Sequence, residues 1–455
     1  MHIDHPPLLL PRIAGDAQRK FDQLLGADGL PPEVLHAARN SLLDWLGVCL
    51  GARRDPQAVV ITNTARLWSS HGAAWWLSGG RSAAPVAAWV NGSLSHVLDY
   101  DDTHVDAILH GSGPLWATLL ALGQQYRLPE NRLIAAFAVG LQTGARLGMQ
   151  GRGERLTAHG WHVTPVLGRI AAALAGALAL RLDASKASHA VALAATQAGG
   201  LAASFGTPAK PLHAGYAALD AVMSVELASQ GCEGAPGVLD GPRGLLQSLL
   251  QDEALAIDVD LDGAWEISRI SFKPYASCQL THAAIDAARA LHASLDTDGV
   301  EQVIAYVHPL AIRIAGSADA HTATQAKFSL PYCIALGLAG HTGRASDFER
   351  TRLGDPTVQA LSQRVALVPD PAATRSSARL ELHAASGRTL EHAVTAGYGS
   401  VAWPMRWNDL RAKFLDLAEP VLGAHAASLA DAVAGFGRAS SLDAITSLIG
   451  QGDMA

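Results

Sequence analysis

The chain reads as a mostly α protein: a large all-helical domain built from both chain ends, with a smaller α+β domain inserted into it. Three observations predict this. The composition is 49% hydrophobic and only 16% charged, with alanine in excess, which favours helices packed closely through small side chains. Apolar residues recur at helical spacing up to about residue 262 and again after Trp403-Pro404. Between those stretches the texture changes to short alternating segments of the kind that form strands. The expected division is 1–265 plus 403–455 for the helical domain and 266–402 for the insertion. A cleft between the two is the default ligand site.

The elements follow in order. Pro31 and Pro32 suit a helix start, and Leu35, Ala38, Leu42, Trp45 and Cys49 continue at alternating three- and four-residue steps. Glycine pairs at Gly79-Gly80 and Gly199-Gly200 break the helices beyond. The apolar run Val163 to Leu180 contains Arg169 and is rich in alanine and glycine, so it reads as a core helix rather than a membrane span, with Pro165 near its start. Trp265 to Phe272 and Val300 to Val307 read as strands, and Thr281 to Ser294 as a helix. Ala378 to His383 and Thr389 to Val394 alternate across Ser386-Gly387 and read as a hairpin. After Trp403-Pro404 a helical pattern runs through Lys413-Phe414 to the end.

Charge and cysteine usage narrow the function. Net charge is -7 with no basic block or aromatic-basic stripe, which disfavours nucleic acid as a partner. The N-terminus shows no basic region ahead of an apolar stretch, so no secretory signal is read there. Cys49, Cys232, Cys278 and Cys333 are scattered, as expected of reduced buried thiols in a cytoplasmic protein. Lysine occurs only at positions 20, 186, 210, 273, 327 and 413, arginine supplying every other basic side chain. A chain with that preference reserves some lysines for what a compact ammonium does better.

Chemistry-bearing residues concentrate in a few segments. His96-Val-Leu-Asp99-Tyr-Asp101-Asp102-Thr103-His104, with His110-Gly-Ser112, is dense in carboxylates and imidazoles. If helical, it puts His96, Asp99, Thr103, Asp106 and His110 roughly on one face; the alternative is a helix terminus with capping aspartates and solvated histidines. His159-Gly-Trp-His162 precedes the Ala-rich helix, where a histidine serves as cap, packing group or catalyst. Ser204 to Gly215 brings Lys210 and His213 to a helix start, an anion site without a phosphate-loop pattern. Lys273-Pro-Tyr275, with Cys278 and Thr281-His282, lies at a strand-to-helix boundary. In Lys327-Phe-Ser-Leu-Pro-Tyr332, Lys327 reads as a plain surface charge. No nucleophile elbow and no zinc-type spacing is present, and no metal is expected.

These segments, in this order, resemble the MmgE/PrpD family of 2-methylcitrate dehydratases, cis-aconitate decarboxylases and iminodisuccinate epimerases. The matching stretches also include Leu43-Asp44-Trp-Leu-Gly47, Gly160-Trp-His162-Val-Thr164 and the Lys413-Phe414 tail, so the resemblance spans nearly the whole chain. It implies a helical domain with an α/β lid, a homodimer, no metal or organic cofactor, and a small carboxylate substrate. By motif position it implies Asp99, Thr103, His110, His162, Lys210, Lys273 and Tyr332 in the site. The chain departs from the pattern at His110-Gly111-Ser112, where the family has His-Pro-Ser. It departs again at Cys278, where vertebrate-type decarboxylases have histidine. The expected function is therefore dehydration of a 2-methylcitrate-like hydroxy acid, with decarboxylation or epimerisation as alternatives and a non-catalytic carboxylate-binding protein as the reading from another class. His110 or His162 is the expected general base or acid, with Asp99 to orient and charge-stabilise a histidine and Tyr332 to donate a proton or hydrogen bond. Lys210 and Lys273 are expected to clamp carboxylates, with Thr103, His213 and Cys278 completing the binding surface.

Overall fold

The computed structural model describes residues 8–451, apart from 28, 69, 253–256 and 296–298. The extreme N-terminal segment read above for a secretory signal lies mostly outside the described residues.

Ten helices build the first half: α1 Leu9–Leu24, α2 Pro32–Ala52, α3 Pro56–Leu67, α4 Ala84–Val97, α5 Ser112–Tyr126, α6 Glu130–Gly148, α7 Arg152–Ala158, α8 Val163–Ala179, α9 Ala184–Ala195 and α10 Ala209–Ser229. The first was not anticipated, although Leu10, Ile13, Ala14, Ala17 and Phe21 are buried at the same three- and four-residue steps. α8 is buried along its length, as its composition demands. Arg169 within it reaches Asp220 at 3.0 Å. No helix among the described residues is long and apolar enough to cross a membrane.

The C-terminal helices return to the N-terminal half. Helix Trp407–Leu422 packs on α2, where Gly47 leaves room for the Phe414 ring. Helices His425–Gly435 and Leu442–Gln451 then pack on α2 and α5, so the C-terminal pattern is three helices rather than one run.

The sheet lies between. Strands β1 Ala74–Trp75 and β2 Arg81–Ser82 form a small pair, and β3 Val300–Val307, β4 Val365–Pro369, β5 Ala378–Ala384 and β6 Thr389–Val394 form a sheet in the order β4-β3-β5-β6. The expected hairpin is β5-β6, with Gly387 at φ 83 in its turn. β4 was missed; it runs parallel to β3 and needs a crossover, which helices Pro309–Ala315, Leu330–Leu338 and Pro356–Ser362 supply. Helix His282–His292 covers β5 and β6.

The expected strand from Trp265 is instead a 3-10 turn over Glu266–Arg269, because Glu266 turns inward to His104 at 2.9 Å and Arg146 at 3.0 Å. Its last residues do extend, and Ser271 and Thr103 exchange backbone hydrogen bonds of 2.8 and 2.9 Å.

Helices α4 and α10 approach most closely where Gly92 meets Gly215. A Cβ on Gly215 would lie 2.0 Å from Ser93 Oγ and 2.5 Å from the Trp89 carbonyl oxygen. Gly215→Ala gains up to about 1 kcal/mol of helix propensity. The backbone clash outweighs that gain, and the expected net loss is about 1–3 kcal/mol, read as a lowered urea midpoint with unchanged m.

Candidate active site

The segment after α4 is neither a helix nor a solvated terminus. α4 ends at Val97, and Asp99 adopts φ 50 immediately after the cap, so the chain turns inward there. His104 and Leu109 pinch the loop through paired backbone bonds of 2.8 and 3.2 Å, and Ile108 is held at φ 54. A β-branched residue in that region is strained, and strain of this kind collects at functional sites. His96, Asp99, Asp101, Asp102, Thr103 and His104 are all buried. Asp106, expected on the same face, instead pairs with Arg269 at the surface.

Asp99 is the centre. Its carboxylate binds the ammonium of Lys210, in the first turn of α10, and lies 3.2 Å from that of Lys273, which also donates to the Asp99 carbonyl at 2.7 Å. Burial alone would raise the Asp99 pKa, but the two lysines hold it below the ordinary carboxylate range. Burial likewise opposes charge on Lys273, and Asp99 raises its pKa in spite of that. Asp99 was expected to orient a histidine; it orders the two lysines instead.

The histidine is oriented by Asp101, which the sequence reading quoted but left out of the site. His96 Nδ1 donates to Asp101 Oδ2 at 2.8 Å, and His110 Nδ1 is 3.3 Å from the same oxygen. His110 Nδ1 also lies 2.8 Å from the Asp102 carbonyl oxygen and 3.1 Å from Thr103 Oγ1. A carbonyl only accepts, so Nδ1 is the donor and Nε2 is the ring nitrogen left to face the cavity chemistry. The ligand-type atoms of His96, Asp101 and His110 lie within 4.8 Å of one another, close enough to consider a metal, but here they engage each other.

His162 is the N-cap residue of α8, yet its side chain does not cap the helix. It stacks on His96 with ring centroids 5.6 Å apart, and its Nδ1 is 3.0 Å from His213 Nδ1. Burial, with Lys210 beside it, holds the His162 pKa well below the ordinary imidazole value. His96 is pushed down to about 4 by burial, despite Asp101. Both rings are therefore neutral near pH 7.

One cavity of about 80 Å³ collects these groups; Asp99, Thr103, His110, His162, Lys210, Lys273 and Cys278 all line it. His213 stands behind His162 rather than in the wall. Tyr332 is not brought there: its hydroxyl donates to the Asp347 carbonyl at 3.1 Å and its ring packs near Phe348. Lys327 is buried rather than at the surface, its pKa brought down to about 8 by burial against the pull of Asp99. Its carbonyl holds the Cys278 amide at 2.9 Å. Cys49, Cys278 and Cys333 are buried as expected, but Cys232 is exposed. Phe205, Phe328 and Arg375 also reach the cavity and were missed. The lysine scarcity was the usable signal, since five of the six lysines are buried.

Comparison with known proteins agrees with this architecture. The MmgE/PrpD N-terminal domain model matches residues 21–258 and the C-terminal domain model residues 275–435. The cis-aconitate decarboxylase of Mus musculus is 25% identical over 421 residues, covering 88% of this chain and 85% of that protein. The cis-aconitate decarboxylase-like protein oryM of Aspergillus oryzae is 26% identical over 86% of this chain and 88% of its own length. The cis-aconitate decarboxylase of Aspergillus terreus is 28% identical over 58% of this chain and 57% of its own.

Beneath the His110 loop, Asp102 Oδ2 accepts from Ser112 at 2.5 Å and Ser41 at 3.2 Å, and burial with nearby Asp44 raises its pKa to about 8. The folded state thus holds a proton that the unfolded chain has released. This contribution is complete below about pH 4 and falls as pH rises, until it is lost above about 8. Asp102→Asn should remove up to about 1.4 kcal/mol per pH unit from the decline between pH 5 and 8. Urea titrations of both proteins across that range check it; equal slopes would show that Asp102 is ionised in the fold.

Proposed function

The chain belongs to the MmgE/PrpD family, and from that premise we propose that it is a lyase acting on a small carboxylate, with loss of carbon dioxide as the first reading. The observation that carries the proposal is the Lys210–Asp99–Lys273 group sharing one cavity with His110 and His162. Loss of carbon dioxide, or of an α-proton, leaves a carbanion whose charge spreads onto a neighbouring carboxylate. Fixed positive charge beside that carboxylate stabilises it, and most strongly where water is excluded. Asp99 aims both ammonium groups; two lysines against one aspartate leave one net positive charge for the ligand. His162 delivers the proton the carbanion needs when His213 donates to its Nδ1, which places the ring proton on Nε2.

Decarboxylation comes first because the relatives aligned over most of this chain are named for it. Dehydration of a 2-methylcitrate-like hydroxy acid is the second reading. It is favoured by two imidazoles, His110 and His162, on one cavity, the pair that removing a proton and a hydroxyl requires, and by Cys278 at the wall. Homodimer assembly and a cytoplasmic location belong to the same proposal. Tyr216, Met223 and Leu227 lie along one face of α10 and are 46, 45 and 47% exposed, an apolar strip suited to a second copy.

Proton NMR in deuterated buffer with cis-aconitate, 2-methylcitrate, citrate and iminodisuccinate separates the chemistries. Carbon dioxide release is expected from the first, an alkene from the hydroxy acids if the second reading holds, and exchange with inversion only for an epimerase. Four inert substrates would sink the substrate reading. Lys273→Met and Lys210→Met should each lower kcat/KM by about 10²–10³-fold with circular dichroism unchanged.

A further inference from the structure

A ligand with three carboxylates needs more positive charge than the clamp supplies. Lys210 and Lys273 against Asp99 leave one net positive charge, and both lysines are buried. Among the described residues lining the cavity, the remaining lysine or arginine is Arg375.

Arg375 stands at the cavity mouth. An outer pocket of about 560 Å³, whose wall includes the exposed Asp106, Gln150 and Thr374, shares Val105 and Arg375 with the catalytic cavity but neither lysine of the clamp. The guanidinium therefore lies between solvent and the clamp. It comes from the connection between β4 and β5. There the Ala372 amide donates to Asp370 Oδ1 at 2.9 Å and the Thr374 amide to Ser377 Oγ at 2.8 Å, so the turn that presents Arg375 is ordered before a ligand arrives.

Its partners in the protein leave it capacity. Nη2 donates to Glu154 of α7 at 2.5 Å, and Nη1 to the Val105 carbonyl at a long 3.3 Å. A guanidinium carries five N–H groups, so two such bonds do not exhaust it. The Glu154 side chain is 42% exposed against 21% for Arg375, so its carboxylate can turn to water, and an ion pair this open to solvent is worth little by itself. A ligand carboxylate on the cavity side of the guanidinium lies further from solvent and gains more from the same donors.

We infer that Arg375 is the specificity-determining residue for a third carboxylate. The inner carboxylate, next to the carbon that becomes the carbanion, is held at Lys210 and Lys273; the one nearest the mouth binds the Arg375 guanidinium, which Glu154 shares or yields. This rests on the carboxylate-lyase reading and assigns the group that separates tricarboxylates from dicarboxylates.

The test compares two unreactive ligands on the full-length protein by isothermal titration at one pH and ionic strength: tricarballylate, and methylsuccinate, the same skeleton without one terminal carboxylate. Wild type should bind tricarballylate about tenfold or more tighter, the order expected of a hydrogen bond between charged groups. Arg375→Gln should weaken tricarballylate by that factor and change methylsuccinate less than about twofold, with circular dichroism unchanged. If that variant folds poorly, Arg375→Lys carries the same comparison, with discrimination expected below wild type because lysine lacks the planar fork. Glu154→Gln, which breaks the ion pair from the other side, should not weaken tricarballylate. No discrimination in wild type, or discrimination that survives intact in Arg375→Gln, overturns the inference and leaves the lyase reading standing. A loss in Glu154→Gln equal to that in Arg375→Gln overturns it too, since Arg375 would then act only by holding α7. Methylsuccinate binding undiminished in Lys273→Met overturns the clamp itself, and if neither ligand binds wild type, both readings fall.

Discussion

One buried carboxylate organises this protein. Asp99 lies in a left-handed turn after α4 and meets ammonium groups 111 and 174 residues further along the chain. Each of the three charges would be costly to bury alone; together they neutralise most of that cost and tie three distant segments to one point. The rest of the site follows from where that point is. The Gly92–Gly215 contact brings α10 close enough to α4 for Lys210 to arrive, and the Thr103–Ser271 bridge carries the backbone that presents Lys273.

A second layer holds the first in register. Lys413, from the C-terminal part of the chain, reaches Asp44 and the Tyr100 carbonyl at 2.7 Å each, while the Tyr100 hydroxyl donates to the Pro274 carbonyl at 2.8 Å. His104, Glu266 and Arg146 brace the other side of the loop. Every buried donor or acceptor recruited in this way restricts the conformations the loop can take, which is how groups ordinarily found at a surface become a fixed wall.

Much of the fold was legible because it depends on local periodicity. The three- and four-residue steps of α2, the buried run of α8 and the alternation of β5 and β6 all act within a few residues. What failed depends on distant partners. The segment after Trp265 has the composition of a strand, but Glu266 turns it toward His104, 162 residues away in sequence. β4 carries no signal apart from β3, which it joins as a parallel neighbour. In the site, residue types identified the lysines and histidines, yet not the division of labour between Asp99 and Asp101, which lie two residues apart on a loop whose direction one positive φ decides. Tyr332 shows the converse: a residue in a matching motif whose hydroxyl is committed to Asp347.

Burial serves two ends in this site. It removes charge from His96 and His162, so these imidazoles work as neutral donors and acceptors whose tautomers are set by hydrogen bonds rather than by pH. It also leaves Lys273, held charged by Asp99, beside Lys210 as the concentrated source of positive potential in a poorly screening environment. A polar, water-filled cavity would protonate the histidines more readily and weaken the lysine field at the same time. The Phe205 and Phe328 rings next to Lys210 are therefore part of the electrostatics, because they keep water from its ammonium group.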